Sequence, residues 1–164
     1  MRRVAVLILT GMVMTGSVMA KDVAPGAKRE LFRQKMQTVR DEQKRKIVER
    51  ADAKIAEINK RRTDAMTRHL DKMGEILVKV KARGGDTTAA GAAVTDARST
   101  VAAQAGKTYV ITISTEDKLK INVGEAMKAL MTDLRNLHEG KIVPARKAVS
   151  DAIKSVKPVS TPTP

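Results

Sequence analysis

From Ala27 to Arg83 the chain runs some 57 residues without a proline and with one glycine, Gly74. The run is rich in Lys, Arg, Glu, Gln, Ala, Met and Leu, residues that cost little in a helix interior. It predicts one continuous helix, about 85 Å long at about 1.5 Å per residue. Apolar and small residues recur at threes and fours: Met36, Ile47, Ala51, Ile55, Ile58, Met66, His69, Met73, Leu77 and Val80. Three sets step by eleven: Met36, Ile47, Ile58, His69 and Val80; Ile55, Met66 and Leu77; Ala51, Arg62 and Met73. An eleven-residue repeat keeps such a stripe nearly straight or weakly right-handed. A lone helix cannot bury its stripe, so something must pack along it.

The partner follows in the chain. Arg83-Gly84-Gly85-Asp86-Thr87-Thr88 breaks the helix, the paired glycines supplying a left-handed cap and Asp86 or the threonines capping the next helix. An Ala-rich stretch begins at Ala89, and small residues beside a turn allow close backbone approach, so 84–88 reads as the tip of an antiparallel hairpin. The returning spine is Val94, Ala97, Val101, Ala105, Tyr109, Thr112, Leu119, Val123, Met127, Leu130, Leu134 and Leu137. Thr108–Thr115 is β-branched and aromatic, which favours a strand with Tyr109, Ile111 and Ile113 on one face. A strand without a partner is unstable, and the helical spine passes through unshifted, so helix is the expectation. Ser114 to Asp117 can alternatively cap a fresh helix there. Gly140 and Pro144 mark a second break near 140–144, a kink or a short turn, after which Pro144 opens a short helix to Lys157. The expected fold is all-α: a long, coiled-coil-like helical hairpin with helices over 27–83, 89–139 and 144–157. A short leader over 21–26 precedes it and an extended Pro/Thr tail over 158–164 follows.

Two aromatic residues, Phe32 and Tyr109, make up 1% of the chain, too few for an ordinary globular core or ligand pocket. The absence of Cys excludes a disulfide scaffold, a cysteine-based zinc site and a thiol nucleophile. No glycine-rich phosphate loop occurs, and neither His69 nor His138 belongs to a paired ligand motif. Asp41-Glu42 and Glu116-Asp117 each precede basic residues by four positions, the spacing of helix-surface ion pairs rather than of a buried acid–base couple. The methionines Met36, Met66, Met73, Met127 and Met131 sit at helical spacing, as core fillers do. The expectation is a protein that is not an enzyme and takes no cofactor or metal.

Met1-Arg2-Arg3, the apolar run Val4–Thr15 and the small-residue site ending Val18-Met19-Ala20 have the form of a secretory signal peptide cleaved before Lys21. The run falls short of the ~20 residues that span a bilayer. An exported protein, periplasmic, extracellular or in the cell envelope, is expected, with an uncleaved N-terminal anchor as the alternative to cleavage. Loss of Arg2 and Arg3 lowers the net charge from +14 to +12, and +9 of that precedes Gly84. The candidate anion-binding residues are Lys28 and Arg29; Lys44, Arg45 and Lys46; Lys60, Arg61 and Arg62; and Lys79, Lys81 and Arg83. Such an excess attracts polyanions: envelope polymers or an anionic membrane surface. Nucleic acid is disfavoured, because single-strand binders stack bases on aromatics that this chain lacks. A stripe left unfilled by two helices also suits partner helices, including a second copy.

Arg68-His69-Leu70-Asp71-Lys72-Met73, Val80 through Thr87, and Val143-Pro144-Ala145-Arg146-Lys147-Ala148-Val149 resemble the helical core and C-terminal segment of uncharacterised exported proteins of candidate-phyla (Patescibacteria-type) bacteria. The resemblance spans roughly residues 40–155 and implies a coiled-coil hairpin behind a signal peptide, with no site residues. The size and basic charge of the exported part are also similar to those of Skp-type periplasmic chaperones, which hold unfolded outer-membrane proteins between helical arms. That family opens on a β-strand, for which Lys21–Gly26 has no counterpart. Two functions follow: a structural or interaction protein on anionic envelope material, or a holdase chaperone.

Overall fold

The computed structural model describes residues 25–156. The signal segment 1–20 and the tail 158–164 lie outside the described residues, while Pro25 and Gly26, the end of the expected leader, begin a helix. The elements are α1 (Pro25–Gln37), α2 (Glu42–Ala82), α3 (Thr88–Ala105), a 3-10 turn (Glu116–Lys118), α4 (Leu119–Leu137), a π turn (His138–Ile142) and α5 (Val143–Lys154). The fold is all-α, with no strand among the described residues, and an antiparallel hairpin of α2 and α3 lies at its centre.

The long Pro-free run is two helices rather than one. Thr38 and Val39, β-branched and poor in helices, close α1, and the Thr38 hydroxyl donates to the Lys35 carbonyl at 2.7 Å. Asp41, expected to serve in helix-surface pairs, stands 3.9 Å from Lys44 Nζ and also caps α2: its Oδ1 accepts from the backbone N–H groups of Gln43 and Lys44 at 2.9 and 3.1 Å. Folding back lets Arg29 reach Asp52 at 2.6 Å and puts Phe32, Met36 and Val39 in one core with Val48 and Ile55.

The tip forms as the paired glycines predict. Gly84 takes φ +76°, and Gly84 and Gly85 return their N–H groups to the carbonyls of Lys81 and Val80. Asp86 Oδ1 accepts from Thr88 N–H at 2.9 Å as the chain enters α3. Ala90, Val94, Ala97 and Val101 of α3 then pack on Leu70, Met73, Leu77 and Val80 of α2. Gly74, the one glycine of the run, makes room here: a Cβ would stand 3.1 Å from the Arg98 guanidinium, which bonds the Leu70 carbonyl and Asp71.

One expectation for the return limb fails. The helix expected over 89–139 ends at Ala105, with Gly106 as its cap, and residues 107–115 run extended. Ile111 and Ile113 are buried and Tyr109 is half-buried, the alternation of a strand, while Ala105 and Thr112 of the expected spine are exposed. The segment needs no sheet partner because its side chains, not a backbone ladder, attach it to the base core. The chain then reverses at Glu116–Lys118, where Glu116 meets Lys44 at 3.2 Å near the start of α2. α4 and α5 climb parallel to α2 until Ser155 Oγ accepts the Asp86 N–H at the tip. At the expected break over 140–144 the regular α-helix gives way to a π turn over His138–Ile142, and α5 opens there with Pro144 in its first turn, as expected, but the chain does not reverse. Pro144 has no N–H to donate, and the helix continues through a π turn in which Val143 N–H reaches back five residues to the His138 carbonyl. The molecule is therefore a hairpin joined by a third ascending helix.

Its buried face on α2 is Val48, Ile55, Asn59, Thr63, Leu70, Met73, Leu77 and Val80. The step of eleven is real: of the expected set Met36, Ile47, Ile58, His69 and Val80, Met36 and Val80 are buried and Ile58 is half-buried, and 48, 59 and 70, one residue later, are buried too. Ile47 is 61% exposed and His69 is exposed, whereas Ile55, Met66 and Leu77 keep their expected places. Among the methionines, Met36 and Met73 are buried and Met131 is 44% exposed.

Candidate anion-binding face

Consecutive residues of an α-helix point about 100° apart, so a run of basic residues is scattered around the helix rather than gathered into a patch. Lys60 is drawn to Asp64 at 2.7 Å, Arg61 faces outward, and Arg62 lines a groove against α4. Lys44 is engaged by Glu116 and Lys46 by Glu42, while Arg45 lines a groove beside α1. Arg29 is held by Asp52, and Lys28 lines the cleft between α1 and the extended segment. Lys79, Lys81 and Arg83 are exposed at the end of α2, with Lys79 and Arg83 one turn apart.

What gathers charge is the helix repeat. Arg50, Lys54, Arg61, Arg68, Lys72, Lys79 and Arg83 follow one another at spacings of four and seven and share the side of α2 opposite its buried face. All seven are exposed. Lys54 pairs with Glu57 at 2.9 Å, and that ammonium holds the Glu57 carboxyl below its ordinary range. The other six make no ion pair among the described residues. From Arg50 to Arg83 the stripe is about 50 Å long at 1.5 Å per residue. Ile47 and Ile76, 61% and 39% exposed, stand within one turn of Arg50 and of Lys72 and Lys79. Of these cations, the sequence clusters contained only Arg61, Lys79 and Arg83. Arg50, Lys54, Arg68 and Lys72 are legible only by counting in fours and sevens.

The stripe is rigid because the opposite face of α2 is fastened to the return limb by polar groups as well as apolar ones. Asn59 Nδ2 donates to the carbonyls of Gln104 and Lys107 at 3.0 and 3.2 Å, serving the oxygens left open where α3 ends. Gln104 Nε2 donates to Asn59 Oδ1 at 3.1 Å and to the Tyr109 hydroxyl at 2.7 Å. Tyr109 in turn donates to Asp133 Oδ2 at 2.6 Å, which also accepts from Lys107 Nζ at 2.9 Å. Burial and the carboxylate beside it push the Tyr109 phenol up to about 12. The bonds from Tyr109 and then Lys107 hold Asp133 below the usual carboxylate range. At the base, hydrogen bonds from Lys44 and from Arg40 N–H lower Glu116, and Lys44 is raised in return. No group of three or more His, Asp or Glu side chains is placed to hold a metal among the described residues. His138 and Met66 line one groove between α2 and α4. No helix among the described residues is long and apolar enough to cross a membrane.

Comparison with family models, with curated protein sequences and with solved structures yields no match.

Proposed function

We propose that this is an exported, non-enzymatic helical protein that lies on anionic envelope material, with the outer face of α2 as its contact surface. The observation that carries the reading is the stripe of exposed cations, six of them without an ion-pair partner among the described residues. Solvated helix faces usually alternate charge and satisfy it internally, as α2 itself does with Lys46–Glu42 and Lys60–Asp64. Cations left unpaired along one line suit a surface of repeating negative charge. Export rests on the signal-like segment Met1–Ala20.

Sedimentation with vesicles tests it. The protein should pellet with vesicles containing phosphatidylglycerol, stay in solution with phosphatidylcholine, and be released as salt rises and screening lengths shrink. Replacing Arg61, Arg68 and Lys79 together with Gln should weaken binding about a hundredfold, at about 1 kcal/mol per surface cation, with the helical circular dichroism unchanged. Equal binding to both vesicle types, or binding indifferent to salt, rejects the reading. The alternative, a holdase, draws on a second observation: an apolar groove of about 480 Å³ between α2 and α4, with Ile47, Val48, Leu119 and Val123 in its lining. Suppression of client aggregation at a salt concentration that abolishes vesicle binding would favour it.

A further inference from the structure

About a quarter-turn around α2 from the stripe, a smaller groove of about 290 Å³ opens between α2 and α4. Met66 and Leu134 lie at its base and Met131, 44% exposed, along its side. Arg62 comes from α2, Arg135 from α4 and His138 from the π turn, and all three are exposed. None of them forms an ion pair among the described residues, and Glu139, one turn beyond Arg135, is not within 4.0 Å of it. Two guanidinium groups are thus brought to one apolar groove by the packing of two helices, with no acid to neutralise them. Guanidinium forks match a phosphate's oxygens in pairs, and methionine side chains adapt to methylene groups.

We propose that this groove binds one phospholipid by its phosphate, held between Arg62 and Arg135, with the methylenes next to the phosphate against Met66 and Met131. The volume is at the small end of ligand pockets, which run from about 300 to 1,000 Å³. It therefore takes a headgroup and the carbons joined to it, and leaves the acyl chains outside. The inference deepens the surface-binding reading by naming a lipid as the anion, and it draws on residues outside the stripe.

Dihexanoylphosphatidylglycerol, used below its micelle-forming concentration, is the probe, with inorganic phosphate and glycerol phosphate titrated in parallel by calorimetry. The lipid should bind measurably tighter than either phosphate. Arg62→Gln and Arg135→Gln should each weaken it about tenfold or more, as loss of a charge-assisted hydrogen bond does. Arg62→Lys, which keeps the charge and loses the fork, should fall between. The Arg61, Arg68 and Lys79 triple variant should bind the short lipid within twofold of the parent. Inorganic phosphate binding as tightly as the lipid, unchanged affinity in either Gln variant, or an equal loss in the triple variant would overturn the proposal. If the short lipid fails to bind while phosphatidylglycerol vesicles still sediment the protein, the groove is refuted and the surface reading stands. If the short lipid binds and the vesicles do not sediment it, the groove stands and the surface reading is refuted.

Discussion

The two ends of the molecule solve one problem with different material. Toward the tip, α2 is covered by two helices, α3 and α5, through Ala90, Ala97, Ala145 and Ala152, whose small side chains let three backbones come close. Toward the base, α4 provides one helical wall, and the other is made by short α1 and by the extended segment carrying Ile111 and Ile113. Isoleucine every second residue on an extended chain fills there the space that a helix fills above it. The change occurs where α3 ends, and Asn59, Gln104, Tyr109 and Asp133 meet there to satisfy the polar groups that the change exposes. Core burial does not require one kind of backbone; it requires every buried carbonyl and amide to find a partner.

If the extended segment is as much a part of the core as α3, then Ile111→Ala and Leu70→Ala should hurt alike. Both side chains are fully buried, and truncation at such a site costs about 2–5 kcal/mol. Urea unfolding measures both. A cost for Ile111→Ala well under about 1 kcal/mol would mean that the segment is merely draped over the base, and the equivalence of the two ends would be lost.

How far this division is readable from sequence depends on particular residues. The tip is legible because Gly84-Gly85 and the alanines after Ala89 have one economical interpretation. The phase of α2 is legible from Ile55, Met73, Leu77 and Val80, all buried, but Asn59 and Thr63 are polar residues on the buried face that apolar periodicity passes over, while Ile47 and His69, which it includes, are exposed. The break before α2 is hard to see in the sequence because Asp41, a strong cap residue, also suits a helix-surface pair, and it serves as both. Thr108–Thr115 carried a genuine strand alternation. A strand needs a partner ladder, whereas here a tyrosine, two isoleucines and a polar junction take its place. On the candidate face, the local clusters of Lys and Arg do not coincide with the exposed stripe, because neighbours in sequence are not neighbours on a helix. Arg135 and His138 could not be joined to Arg62 without the second chain reversal.

Glycines separate the two ends more finely. At the tip, a Cβ on Gly85 would stand 2.6 Å from a Val80 methyl and 2.8 Å from a Val156 methyl, so Gly85→Ala should destabilise by about 1–3 kcal/mol through overpacking. On α4, nothing lies within 4 Å of a Cβ built at Gly124, and the position is mid-helix. Gly124→Ala should therefore stabilise, by about 0.4–1 kcal/mol. Thermal unfolding of the two variants should show melting temperatures displaced in opposite directions; an unchanged or raised melting temperature for Gly85→Ala would show that the tip is not packed as closely as its alanines imply.

The smallest expected effect bears on the junction itself. The Tyr109 hydroxyl accepts from Gln104 and donates to Asp133, so Tyr109→Phe removes both links and should cost about 0.5–1.5 kcal/mol at neutral pH. Its diagnostic is pH. Asp133 is depressed in the folded protein, so the stability it contributes is complete above the unfolded carboxylate value near pH 4 and is lost as pH falls through the lower folded value. Tyr109 is raised to about 12, so its contribution is complete below the unfolded phenol value near 10 and is lost as pH rises from there through about 12. In Tyr109→Phe the alkaline loss from this residue should vanish and the acid loss should shrink, leaving the part of the Asp133 effect that Lys107 sustains. Denaturant midpoints taken across pH for both proteins measure this. Parallel curves would mean that the two ends are joined by apolar packing alone, and that the phenol only occupies space between them.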